Sequence, residues 1–282
     1  MSTLAMSELA AKRSISLRTS VGIALIALTL LAGLIGLIAP PFDPIEPDLL
    51  ARLQPPSAEH WLGTDQFGRD VLSRVLAGAI SSIAISLGSV GFAVLLGMAI
   101  GAAAGYFGGN LDRGIGFLTD ALMAFPGILL ALGLTAVFGP SRMGVILALG
   151  VAFTPSVVRS VRAAALSVSR NQFVEAASAM GHSHAWIIAR HILPNCMSPL
   201  IVLATTLVGV ALLAESALSF LGLGVPPPSA TWGGMLAESR SYLDKAMWLA
   251  LCPGAAISLA LLGINLAGDA LRDHLDPRMK QR

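Results

Sequence analysis

Three histidines, His182, His184 and His191, lie close together in the chain, and clustered imidazoles are a common start to a metal site. No cysteine accompanies them and the nearby carboxylates are loosely spread, so they read as surface histidines and no metal site is assigned. Other constellations that carry chemistry are missing. A phosphate-binding loop ends in Gly-Lys-Ser or Gly-Lys-Thr, whereas Lys12, Lys245 and Lys280 all follow residues other than glycine. The five histidines are followed by Trp61, Ser183, Ala185, Ile192 and Leu275, so His-Glu-x-x-His does not occur, nor does a Gly-x-Ser-x-Gly elbow. Cys196 and Cys252 form no Cys-x-x-Cys pair and read as small apolar packing residues. No catalytic residue is assigned, and any motor must lie in another chain.

What remains is a stretch without chemistry of its own, residues 171–195, NQFVEAASAMGHSHAWIIARHILPN. Residues 172–180 are good helix formers, with Glu175 exposed and Ala176, Ala177 and Ala179 offering a low-relief surface to a partner. Gly181 ends that helix, Ser183 caps a second over 185–191, with Trp186, Ile187 and Ile188 as a packing face, and Pro194 separates it from the next apolar segment. The stretch is a docking segment, with an interfacial hairpin lying on lipid as the plainer alternative.

The elements that position it are membrane spans. The 282 residues are 55% hydrophobic and only 12% charged, against about 25% charged in soluble domains. A net charge of +2 with scattered Lys and Arg offers no basic stripe for nucleic acid. Six apolar segments are expected to be helical: 21–39, 76–105, 114–138, 143–161, 198–221 and 246–268. Pro126-Gly127 should kink the third or interrupt its hydrogen bonding, Pro155 lies inside the fourth, and Gly97, Gly101 and Gly105 put small residues on one face of the second. A short loop over 106–113 joins the second and third. The organisation is then an N-terminal segment 1–20, a first span 21–39, an external loop 40–75, a five-helix core 76–268 containing the 171–195 segment, and a tail 269–282.

Twelve of the 18 Lys and Arg fall on the side of the termini and the 171–195 stretch: Lys12, Arg13, Arg18, Arg113, Arg159, Arg162, Arg170, Arg190, Arg272, Arg278, Lys280 and Arg282. Arg52, Arg69, Arg74, Arg142, Arg240 and Lys245 fall on the other, so both termini are expected in the cytoplasm. Within the external loop, residues 60–70 read as an interfacial cap with Trp61 at headgroup level and Arg69 paired to an acid. Residues 231–245, with Trp232, Gly233 and Gly234, read as a second external loop. Acids inside the spans are few: Asp120, Glu215, and Asp269 beside Asn265 at the end of the sixth. Glu215, near the outer end of its helix, is read as satisfied by a neighbouring donor, with a substrate contact as the other role open to it.

Glu175-Ala176-Ala177, three residues, Gly181, then Leu193-Pro194 resembles the EAA motif of permease subunits in binding-protein-dependent ABC importers, departing from it at His191. HWLGTDQFGRDVLSRVL from His60, AGYFGG from Ala104, SFLGLGVPPPSATWGG from Ser219 and NLAGDALRDHLDPR from Asn265 are similar to second-permease members of the dipeptide, oligopeptide and nickel group. The resemblance implies an all-α, six-helix fold of the type I ABC importer kind in the bacterial inner membrane. It implies a homologous second permease, two ATP-binding subunits that hold ATP and Mg, and an extracytoplasmic substrate-binding protein. Glu175, Ala176, Ala177, Gly181, Leu193 and Pro194 would then be the ATPase-coupling residues. Peptide is the first substrate choice, with nickel, a metal chelate or an opine-like compound as alternatives in the same architecture. A secondary carrier working alone is the alternative from another class, and no residue in the sequence identifies a ligand.

Overall fold

A computed structural model describes residues 17–275, and among them every regular element is helical. Five helices are long and apolar enough to cross a bilayer, and a sixth crossing is made if one sharply bent pair counts as a single span. Helix α1, Leu17–Ile38, is followed by a structured loop, and α2, Val71–Phe107, runs 37 residues. Helices α3, Gly109–Met123, and α4, Gly127–Phe138, meet at 93°. Helix α5, Arg142–Val168, leads to the short α6, Gln172–Ala179, and α7, His184–Ile187. A π turn, Ile188–Ile192, joins α7 to α8, Leu193–Phe220. After it come the short α9, Trp232–Ser239, and α10, Trp248–Leu275. Of the expected N-terminal segment 1–20 and tail 269–282, residues 1–16 and 276–282, with Lys12, Arg13, Arg278, Lys280 and Arg282, lie outside the described residues, whereas 17–20 begin α1 and 269–275 belong to α10.

The α2–α5 pair is the spine. A Cβ placed on Gly97 would meet Val157 at 2.6 Å, on Gly101 the Val158 carbonyl at 2.7 Å, and on Gly105 Ala165 at 2.7 Å. The four-residue glycine spacing thus lets two backbones touch over about two turns. Helix α1 lies outside this pair: its buried Gly22 faces Leu266 of α10, and its Gly33 faces Ile80 of α2.

Several boundaries differ from the sequence expectation. The 106–113 loop is a break at Gly108 and Gly109, both at φ 61°, because Asn110 to Arg113 already continue into α3. At Pro126 the expectation holds in its stronger form, since the span is interrupted and Pro126 stands as the cap of α4. The fourth helix continues past Val161 to Val168, so Arg159 and Arg162 sit inside it and pair with Asp120 and Asp112 of α3. Residues 231–245 are not an open loop: Thr231 accepts a hydrogen bond from the Gly234 N–H and starts α9, which buries Trp232 against α2. Pro194 does not separate two helices, since α7, the π turn and α8 form one continuous rod, His184–Phe220. The π turn explains this. Proline has no N–H and crowds the carbonyl four residues back, and here the Leu193 N–H reaches five residues back to Ile188 while Asn195 Nδ2 bonds the His191 carbonyl at 2.7 Å.

Replacing Gly101 by Leu should force α2 and α5 apart and cost about 1–3 kcal/mol, read as a lowered thermal midpoint in detergent. Gly91→Ala, where a Cβ meets nothing within 4 Å, should leave that midpoint unchanged.

Candidate functional site: a docking segment and the network opposite it

Helix α6 is eight residues long, too short to hold itself in water. Two devices hold it. Val174 and Ala177, one helical turn apart, are buried in a cluster with Val157, Val161 and Ala165 of α5, Ile187 and Ile192 from the turn region, and Cys196 and Leu200 of α8. Burying Val174 alone is worth about 1.5 kcal/mol or more. At the other end the His182 N–H bonds the Ala177 carbonyl at 3.3 Å and the Gly181 N–H that of Ser178 at 3.0 Å, the paired closure of a Schellman motif. It requires Gly181 at φ 82°, a left-handed conformation cheap only for glycine. Ser183 Oγ then accepts from the Trp186 N–H at 3.3 Å and starts α7.

The face left over is Gln172, Phe173, Glu175, Ala176, Ala179 and Met180, all exposed. Ala177 is therefore not part of a partner-facing surface, as its place in the motif suggested, but a packing residue. The other sequence-derived residues divide likewise. Glu175 and Ala176 face outward and Gly181 has open space around it, whereas Leu193 packs against the core cluster. The three histidines do not converge. His182 stacks on Trp186 with centroids 3.9 Å apart, His191 meets Phe173 and Trp186, and His184 Nδ1 pairs with Tyr106 Oη at 2.9 Å, tying α7 to the end of α2.

The opposite end of the bundle carries a buried ionic network. Arg69 Nε donates to Asp65 at 2.7 Å and Arg69 Nη2 to Glu238 at 3.1 Å. Arg74, only 1% exposed, reaches Glu238 at 3.3 Å, Asp65 at 3.4 Å and the Pro44 carbonyl at 3.0 Å. Two cations face two carboxylates. The Arg69 pairing was legible in the sequence, but Trp61 is exposed while the rest of the 60–70 stretch is mostly buried. Asp70 caps α2 through the Ser73 N–H at 2.7 Å and holds His60 Nδ1 at 3.0 Å. A polar cleft of about 420 Å³ opens beside it, edged by Asp43, Glu46, Asp48 and Glu59. Sequence reasoning missed Glu238 and Arg74, which lie 164 positions apart and share no local motif. Deeper in the bundle Glu215 is fully buried and accepts from Ser219 Oγ at 2.9 Å and Ser82 Oγ at 3.4 Å, while Ser82 accepts from the Trp232 N–H. Neighbouring donors satisfy it, as expected.

The arrangement is a helical bundle of apolar spans with a short helix, bare on one face, at one end and a buried ionic network at the other. The family model "Binding-protein-dependent transport system inner membrane component" matches residues 93–281. The chain belongs to that family. It is 44% identical to the dipeptide transport system permease protein of Alkalihalophilus pseudofirmus over 81% of this chain and 75% of that one. It is 41% identical to the di/tripeptide transport system permease protein of Pseudomonas aeruginosa, over 85% and 81%. The glutathione transport system permease protein of Pectobacterium atrosepticum is also 41% identical, over 80% and 75%. Among solved structures, a chain of the inward-facing MetNI methionine ABC transporter shares the fold, with a TM-score of 0.59 at 17% identity over 72% of this chain and 96% of that chain. The protein is thus an inner-membrane permease component with the fold of an ABC importer.

Replacing Glu238 by Ala leaves Arg69 and Arg74 sharing the one carboxylate of Asp65. It should cost about 3 kcal/mol, seen as earlier thermal unfolding, with Glu238→Gln falling between it and the unaltered protein.

Proposed function

We propose that this chain is one of two permease halves of an ATP-driven peptide importer, with no catalysis of its own. Peptide is preferred over nickel, metal chelates and opines because the relatives carry dipeptide, di/tripeptide and glutathione in their names. ATP and Mg belong to two partner ATPases, and a homologous permease completes the path. An extracytoplasmic binding protein delivers substrate to the end that carries the ionic network and its polar cleft. Both termini and α6 lie in the cytoplasm. The positive residues support this orientation, with twelve of the 18 Lys and Arg on that side.

The observation that carries the reading is the seat of α6. Its inner face, Val174 and Ala177, is fixed to α5 and α8, while Glu175, Ala176, Ala179 and Met180 remain uncovered. A helix fixed on one side and bare on the other transmits a push instead of absorbing it. Approach of the ATPases on binding nucleotide would move α6 of each permease inward and, through α5 and the His184–Phe220 rod, turn the path outward. Hydrolysis would reset it. Gly181, Leu193 and Pro194 keep the lever stiff: the first closes α6, and the other two begin α8 directly after the π turn.

A side chain at Gly181 meets nothing within 4 Å in this chain, so beyond the backbone strain that φ 82° imposes on a residue with a Cβ, a clash from one would come from the docked partner. Gly181→Trp should insert in the membrane normally yet abolish uptake and substrate-stimulated ATP hydrolysis. Gly181→Asn, which tolerates the left-handed backbone, should retain part of both. Full transport by Gly181→Trp would remove the coupling role.

A further inference from the structure

Where α1 begins and α10 ends, a polar cleft of about 440 Å³ opens, with Arg18, Leu266, Asp269, Ala270, Arg272 and Asp273 in its lining. Contacts between helices fix its level in the bundle. Helix α10 runs antiparallel to α8: a Cβ on Gly209 would meet Asn265 at 3.5 Å, and one on Gly268 would meet Thr205 at 3.4 Å. Leu200, which belongs to the cluster that seats α6, is only about 8 Å further along α8. The cleft therefore lies at the end of the bundle where α6 is seated. On α1 the apolar run starts at Val21, just after Arg18, and a Cβ on Gly22 would meet Leu266 at 2.8 Å. Both spans thus leave the hydrocarbon at this cleft, which places it at headgroup level.

Two cations and two carboxylates line this cleft without meeting. Among the described residues Arg18, Asp269, Arg272 and Asp273 make no ion pair, although even the exposed Arg159 and Asp120 close to 2.6 Å. The space between them suits a group that carries both charges itself. From Leu266 an apolar track leads away into the bilayer: Leu262 and Leu259 share its face of α10 and are half exposed. Helix α1 beside them is the least enclosed of the spans. A soluble solute would leave this track bare, and a simple anion would leave the carboxylates unmatched. We propose that the cleft binds a phospholipid whose headgroup carries a phosphate and a primary ammonium, as phosphatidylethanolamine does. Arg18 and Arg272 take the phosphate, Asp269 and Asp273 the ammonium, and an acyl chain runs along Leu266, Leu262 and Leu259. The arginine fork matches phosphate, carboxylates accept from ammonium, and polar clefts between spans at headgroup level are where lipids are told apart. Bound there, the lipid clasps the peripheral α1 to α10, the helix that packs on the α8 rod. The site does not depend on what the transporter carries.

The test uses the complete transporter, reconstituted in nanodiscs of equal parts phosphatidylethanolamine and phosphatidylglycerol and released into mild detergent for mass spectrometry of the retained lipid. The unaltered complex should retain phosphatidylethanolamine in preference. Arg18→Gln with Arg272→Gln should lower its retention about tenfold. Asp269→Asn with Asp273→Asn should keep a lipid but turn the preference toward phosphatidylglycerol, a change that a merely structural role for the two acids would not produce. Soluble glycerophosphoethanolamine, which has the headgroup without the chains, should not displace the lipid. A photo-reactive p-benzoylphenylalanine in place of Ala270 examines the same cleft with its charges intact and should form an adduct with phosphatidylethanolamine. Equal retention and equal preference in all variants, or displacement by the soluble headgroup, would overturn the inference. So would a cross-link from position 270 to residues 276–282 or to another subunit in place of lipid. None of these results bears on peptide import.

Discussion

The close approach of α2 and α5 along Gly97, Gly101 and Gly105 is the constraint on which the other contacts depend. Lipid gives helices no hydrophobic reason to associate, so a bundle is held by packing and by polar bonds between helices. With the two backbones in contact, α5 carries Val157, Val161 and Ala165 into the cluster that seats Val174 and Ala177 of α6. At the other end α2 begins inside the ionic network, with Arg74 bonded to Glu238 near the end of α9. One helix pair therefore connects the cap to the docking segment. A displacement of α6 cannot be taken up locally, because its seat contains residues of α5 and α8 as well as the turn between them.

Charge is arranged on the same principle. Among the described residues the buried cations Arg69 and Arg74 meet carboxylates, and Arg159 and Arg162 are met from α3. Glu215 takes hydroxyl donors instead. Burying a charge without a partner costs several kcal/mol, so these pairs determine which neighbours each helix can have. The Arg74–Glu238 contact fixes where α9 folds back, and the Asp112–Arg162 contact fixes where α3 lies along α5.

Features that depend on neighbours in sequence were legible before the structure. The glycine stripe of α2, the end of α6 at Gly181, the Ser183 cap and the interruption at Pro126 each follow from a backbone property of one residue. The paired Arg69 and the satisfied Glu215 followed from the cost of a lone charge. Features set by distant contacts were not. Ala177 looks like its neighbours in composition, and only the position of α5 beneath it makes it a seat residue. Trp232 read as a loop aromatic because the pocket that buries it comes from α2. Pro194 read as a break because a π turn, which allows helix to continue into it, has no sequence signature as simple as proline's own. Glu238 and Arg74 are joined only by the fold.

The central claim is that α6 presents one face to an ATPase and rests on the other. Single cysteines introduced at Ala176, Ala179 and Ala177 in the assembled transporter test it directly through cross-linking to the ATP-binding subunits, in a background with Cys196 and Cys252 replaced. Cross-links from Ala176→Cys and Ala179→Cys, strengthened by nucleotide, with none from Ala177→Cys, are the predicted result. Cross-linking from Ala177→Cys alone, or from none of the three, would contradict the account.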